Sequence, residues 1–199
     1  MRTAAVLLGV VGLAGAAQAQ GGSATWLSDT VVAGDGASAT VTWSINMAGD
    51  ANFVALSATI FDTLNTAGSE FGSITSWNVL NNLADLTGDL TTSDGTNLYG
   101  TNAGQLTVFG PFTSANPIDV LEFVFTANDG VVLTDGEDIV YETSTANLLL
   151  WMGDDKASAD AVDITNAVTE GVARIGVVPT PASAALLGLG GLALVRRRR

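Results

Sequence analysis

The chain contains no cysteine and no histidine. Without cysteine there is no disulfide framework, so an exported form must rest on core burial and on any cations it binds. Without histidine the usual general base and the commonest metal ligand are gone, and no Ser-His or Cys-His pair can form. Basic residues are scarce as well, seven against twenty acidic ones, for a net charge of −13. Five of the seven, Arg2 and Arg196 to Arg199, stand at the extreme ends. The 159 residues from Gln20 to Val178 keep only Lys156 and Arg174 beside all twenty carboxylates, a balance of −18. A body of that sign repels phosphate backbones and anionic membrane surfaces, which excludes nucleic acid as a partner, and it attracts divalent cations. Its length suits one domain with a single core.

The two ends read as addresses. Arg2 supplies a positive charge, Ala4 to Ala16 an apolar core too short to span a bilayer, and Ala17-Gln18-Ala19 a small-x-small cleavage site. This is the pattern of a secretory signal peptide over residues 1–19, with signal peptidase leaving Gln20 as the first mature residue. At the other end, Pro179 and Pro181 hold Val178 and Thr180 in extended geometry. Ala182 to Val195 follows, fourteen uncharged residues of which only Ser183 is polar, then Arg196, Arg197, Arg198 and Arg199. A membrane-spanning helix needs about 20 apolar residues. The arginines would stay on the cytoplasmic side. So short and late a helical stop reads as a processing signal, with the membrane touched only through the terminal segments.

Val178-Pro179-Thr180-Pro181-Ala182-Ser183, then Leu186-Leu187-Gly188-Leu189-Gly190-Gly191-Leu192, then the arginine block, resembles a PEP-CTERM protein-sorting domain. Thr180 stands where that family usually has glutamate. The resemblance covers residues 179–199 and implies processing by an exosortase, a membrane transpeptidase-like protease of bacteria that make exopolysaccharide or biofilm matrix. It implies delivery to the cell surface or to that matrix, with extracellular polysaccharide as a partner.

Between the ends, strands dominate. Ala24 to Val32 reads as a first strand, closed by the turn Gly34-Asp35-Gly36. Ala39, Val41, Trp43, Ile45 and Met47 alternate with Thr40, Thr42, Ser44 and Asn46, the period of a half-buried antiparallel strand. Phe53 to Asp62 follows with Val54, Leu56, Ala58 and Ile60 toward the core, making a hairpin or meander. Asp62 to Gly72 reads as loop with room for one helical turn. Val79, Leu80 and Leu83 have helical spacing, which predicts a short helix within Ser76 to Leu86. Thr87 to Gly104, rich in Gly, Thr, Asn and Asp, reads as a long loop or weak hairpin.

Further strands are expected at Gln105 to Phe109, Ile118 to Ala127, Val131 to Thr134, Asp138 to Thr143, Asn147 to Met152, Asp160 to Ile164 and Gly171 to Val178. In the second of these Leu121, Phe123 and Phe125 share one face, and Val120, Glu122 and Val124 the other. About nine to eleven strands with frequent turns imply an all-β fold, a two-sheet antiparallel β-sandwich of Ig-like or jelly-roll type. That architecture resembles cohesin-like and carbohydrate-binding sandwiches.

Trp43 and Trp151 sit in apolar patterns and read as core. Trp77, flanked by Ser76 and Asn78, and Tyr99 in the polar stretch are the candidates for a glycan-stacking surface. Two acidic groups, Asp129, Asp135, Glu137 and Asp138, and Asp154 with Asp155, offer hard oxygen ligands on turns and so a candidate Ca²⁺ site. Solvated turn carboxylates are the plainer reading of both. No nucleophile, base and orienting group can be assembled, and no Glu-x-Asp-x-Glu string carries a glycosidase pair. The sequence therefore predicts an exported, non-catalytic surface or matrix protein with no catalytic residue. A carbohydrate-binding module is the alternative, and a polysaccharide hydrolase a distant third.

Overall fold

A computed structural model describes residues 22–29, 31–34, 36–49, 53–80, 90–104, 116–131, 133, 138–152 and 161–178. Both terminal segments lie outside this set. So do Gln105 to Phe109, expected as a strand, and the side chain of Trp151. No helix among the described residues is long and apolar enough to cross a membrane.

Twelve strands are described: β1 (Gly22–Leu27), β2 (Val31–Gly34), β3 (Ser38–Gly49), β4 (Phe53–Ala67), β5 (Gly72–Val79), β6 (Thr92–Ser93), β7 (Leu98–Gly104), β8 (Ile118–Ala127), β9 (Ile139–Met152), β10 (Ala161–Asp163), β11 (Val168–Thr169) and β12 (Val172–Val178). They form the expected sandwich. One sheet has the order β11-β1-β3-β8-β5, and the other β2-β12-β9-β4-β7-β6 with β10 beside β9. Pairing is antiparallel except for β1 with β11 and β2 with β12, which are parallel.

Those two parallel pairs arise because both chain-end regions cross between the sheets. The stretch from Ala24 to Val32, expected as one strand, breaks at Ser28 and Asp29, so that β1 lies in the first sheet and β2 in the second. Near the other end β11 lies in the first sheet and β12 in the second, joined through Glu170 and Gly171.

The β3 alternation holds: Val41, Trp43, Ile45 and Met47 are buried, while Thr40, Thr42, Ser44 and Asn46 face outward to varying degrees. Elsewhere bulges reset the period. In β4 the register shifts between Leu56 and Ala58, after which Thr59, Phe61 and Thr63 point inward. Ile60, expected in the core, is 44% exposed. Opposite Trp43 and Ser44 a second shift lets Val120 and Leu121, neighbours in β8, both be fully buried, where Val120 was expected to face out. A bulge sets two residues of one strand against one of its partner, so the inward face changes parity.

Other differences have simple causes. β4 runs on to Ala67 through residues read as loop, because long β9 supplies a partner along that length. β9 is continuous where two strands were expected. Ser76 to Val79 belong to β5 and pair with β8, so the helix expected from residue 76 does not begin there; Leu83 lies outside the described residues. Thr87 to Gly104 does contain a hairpin, β6–β7. Val131 and Leu133 are not in a strand.

Aromatic rings fill the space between the sheets. Trp26 of β1 lies 4.3 Å from Phe61 of β4 and 6.4 Å from Trp43, ring centre to ring centre. Phe123 and Phe125 of β8 meet Tyr141 of β9 at 5.1 and 6.2 Å. Each such tilted or edge contact contributes about 0.5–1.5 kcal/mol beyond area burial. Gly171, where the chain changes sheets, is buried against this cluster. A β-carbon there would lie 2.7 Å from Trp26 Cβ and 2.7 Å from Trp43 Cζ3. Gly171→Ala should therefore destabilise the fold by about 1–3 kcal/mol through overpacking, read as a lower urea midpoint at unchanged m-value.

Candidate functional site

Beside Gly171 a polar clasp joins the sheets. The Trp26 indole N–H donates to Thr145 Oγ1 at 2.8 Å, and that hydroxyl donates to Glu170 Oε2 at 2.9 Å. Glu170 also accepts from the Thr145 amide at 2.8 Å and from Thr143 Oγ1 at 2.7 Å. Thr143 Oγ1 in turn accepts the Gly171 N–H at 2.8 Å. Each hydroxyl thus gives one hydrogen bond and takes another. This carboxylate holds structure together, accepting three hydrogen bonds from β9. Thr145→Val removes the acceptor for a buried indole N–H, and should cost about 1–3 kcal/mol. The loss should shrink in a Trp26→Phe background, as a double-mutant cycle by urea denaturation would measure.

The β6–β7 hairpin carries a carboxylate with all four acceptor positions filled. Asp94 Oδ1 accepts the amides of Thr96 at 2.8 Å and Asn97 at 2.6 Å. Its Oδ2 accepts Asn97 Nδ2 at 2.8 Å and the Tyr99 hydroxyl at 3.0 Å. These donors, Asn97 foremost, lower the Asp94 pKa from 3.8 to about 2. The same bond to Asp94 raises that of Tyr99. Because the folded value lies below the unfolded one, Asp94 supports the hairpin above about pH 4, and that support is lost as pH falls toward 2. The carboxyl carbon signal of Asp94 should titrate with a midpoint at about 2, together with the Thr96 and Asn97 amides. A midpoint at 3.8 would show that the donors do not hold it.

The residues singled out for glycan stacking sit differently. Trp77 on β5 is half-buried and packs against the core, while Tyr99 on β7 is exposed and tied to Asp94. They belong to different sheets. Of the candidate calcium ligands, Asp129 is exposed after β8, and Asp138 precedes β9. Asp135, Glu137, Asp154 and Asp155 lie outside the described residues. Among the described residues, no group of three or more carboxylates is placed to hold a metal ion.

Asp138 belongs instead to a cleft of about 370 Å³ on the outside of the second sheet. Register places Val140 of β9 beside Arg174 of β12 and Ala67 of β4. The Arg174 guanidinium meets Asp138 Oδ2 at 3.2 Å, with side-chain exposures of 55% and 34%. It is the only basic residue among those described. Over this floor stands a 3₁₀ turn, Ser69–Phe71, which brings Glu70 and Phe71 to the cleft wall. Gly68 opens the turn at φ 82°, a left-handed conformation suited to glycine, and a β-carbon there would press on Ile139 and Phe71. Asn128 secures the turn from behind. Its amide donates to the Phe71 carbonyl and its Nδ2 to the Glu70 carbonyl, both at 2.9 Å.

Reasoning from the sequence reached Asp138 but missed Arg174, Glu70 and Phe71. The only signal for Arg174 was its rarity. Chemically the cleft offers a donor fork, two carboxylate acceptors and an apolar edge.

The whole is a β-sandwich of the kind seen in cohesin modules. The seventh ScaB type I cohesin of Pseudobacteroides cellulosolvens superposes with a TM-score of 0.53 at 10% identity, over 78% of this chain and 93% of that one. The solution structure of CaCohA2 from Clostridium acetobutylicum gives 0.53 at 14% identity, over 77% and 91%. No family model and no curated protein matches the sequence.

Proposed function

We propose that this chain is an exported, non-catalytic β-sandwich of the bacterial cell surface or extracellular matrix. In this reading the N-terminal segment directs export and signal peptidase removes it. The C-terminal segment from Pro179 is then the substrate of an exosortase. The observation that carries the non-catalytic part is the state of the anchored carboxylates. Glu170 takes three donors from the chain itself, Asp94 takes four, Asp62 takes the Gly100 amide and Asp119 takes the Ser44 hydroxyl. A catalytic acid or base must keep an open position facing substrate; Asp94 keeps none, and the other three each already hold a structural partner. The cohesin-type sandwich supports a binding or structural role by analogy of fold.

Fractionation of native cells, with intact mass measured on the recovered protein, tests this reading. The protein should be found outside the cytoplasm, beginning at Gln20 and lacking Arg196 to Arg199. Recovery from the cytosol, or from outside with the arginines intact, would overturn it. Turnover of any chromogenic glycoside would overturn the non-catalytic part.

A further inference from the structure

We infer that the cleft between the Ser69–Phe71 turn and the outer face of β9 and β12 binds a neutral pyranose unit of a polysaccharide. This deepens the matrix reading by naming a partner chemistry and a place for it. Vicinal sugar hydroxyls each donate and accept, so they match a donor fork set beside an acceptor. Arg174 and Asp138, 3.2 Å apart, form such a pair in the cleft floor. Glu70 adds a further acceptor, and Phe71, Val140 and Ala67 give apolar surface for the C–H face of a ring.

Charge narrows the class. Two carboxylates and one guanidinium leave the lining at −1 within a body of −18, which disfavours an anionic sugar. The guanidinium disfavours a simple cation at the same place. A volume of about 370 Å³ falls at the small end of ligand-site volumes, which suits one ring better than several. The wall is preorganised by the left-handed Gly68 and by the two Asn128 hydrogen bonds, so little ordering cost is left for binding.

The test uses the exported protein, ¹⁵N-labelled, titrated with the methyl glycosides of glucose, galactose and mannose and with methyl glucuronide. At least one neutral glycoside should give saturable shifts of the Gly68, Phe71, Val140 and Arg174 amides. Arg174→Gln and Glu70→Gln should each weaken that binding by about tenfold or more, as expected when a hydrogen-bonding site loses a partner. Melting should be unchanged, since an exposed ion pair adds little to stability. Should Arg174→Gln fail to fold, Glu70→Gln still decides the matter. Saturable shifts elsewhere, tighter binding of the glucuronide than of every neutral glycoside, or no saturable shift up to about 50 mM, a weaker limit than millimolar affinity, would each overturn the assignment. None of these outcomes bears on export, which is read separately by fractionation and mass.

Discussion

The bond from the Trp26 indole to Thr145, and from Thr145 to Glu170, is the contact on which the arrangement of the sheets depends. Burial of aromatic surface pulls two sheets together but is non-directional. An indole N–H inside the core must find an acceptor, and that requirement has a direction. Trp26 belongs to the first sheet, Thr145 to the second, and Glu170 to the segment where the chain passes between them. One network therefore sets which part of β9 faces β1 and where the last strand leaves for the other sheet. Gly171, too closely packed to carry a side chain, completes that junction.

The same network shows how a protein nearly without cations settles its carboxylates. Only Lys156 and Arg174 stand against twenty acidic residues in the body. Ion pairing can satisfy few of them, and among the described residues only Asp138 is paired in this way. The rest of the anchored set turns to neutral donors: threonine and serine hydroxyls, backbone amides and an asparagine side chain. Asp94, with four such bonds, is held ionised much as it would be by a cation. This gives the abundance of Thr, Ser and Asn a structural reason beyond strand propensity.

Much of the fold could be read from alternation, and the failures share one cause. The extra residue at the Trp43/Ser44 shift, Val120, lies on β8, so β3 itself keeps its period of two from Val41 through Met47. In β4 and β8 the local pattern is equally clean, yet a bulge depends on the register with a neighbouring strand, which one strand's sequence does not contain. Hence Ile60 and Val120 changed sides while Phe123 and Phe125 did not. Over Ser76 to Val79 the expected helix rested on too few apolar positions to outweigh a partner as long as β8; the rest of that stretch, from residue 81, lies outside the described residues. The cleft was less legible still. Gly68, Asp138 and Arg174 are far apart in the chain, and only the β4-β9-β12 register brings their surroundings together. Asp138 drew notice as an acidic neighbour of other acids, whereas its partner in space is the rare arginine.

That pairing also bears on which polymers this body tolerates. Over distances longer than the Debye length, about 8 Å at physiological salt, the −18 field is screened and steers little. Within it, a polyanion approaching the sandwich meets repulsion from the described residues, among which Arg174 is the sole cation and is already paired with Asp138. Divalent ions could bridge acid to acid, but such bridging needs no particular face and confers no orientation. A neutral polymer escapes the repulsion and can exploit the cleft, where donor, acceptor and apolar wall adjoin. Scarcity of positive charge, which leaves the anchored carboxylates to hydroxyl and amide donors, thus makes uncharged hydroxylated chains the polymers that this exterior accommodates at least electrostatic cost.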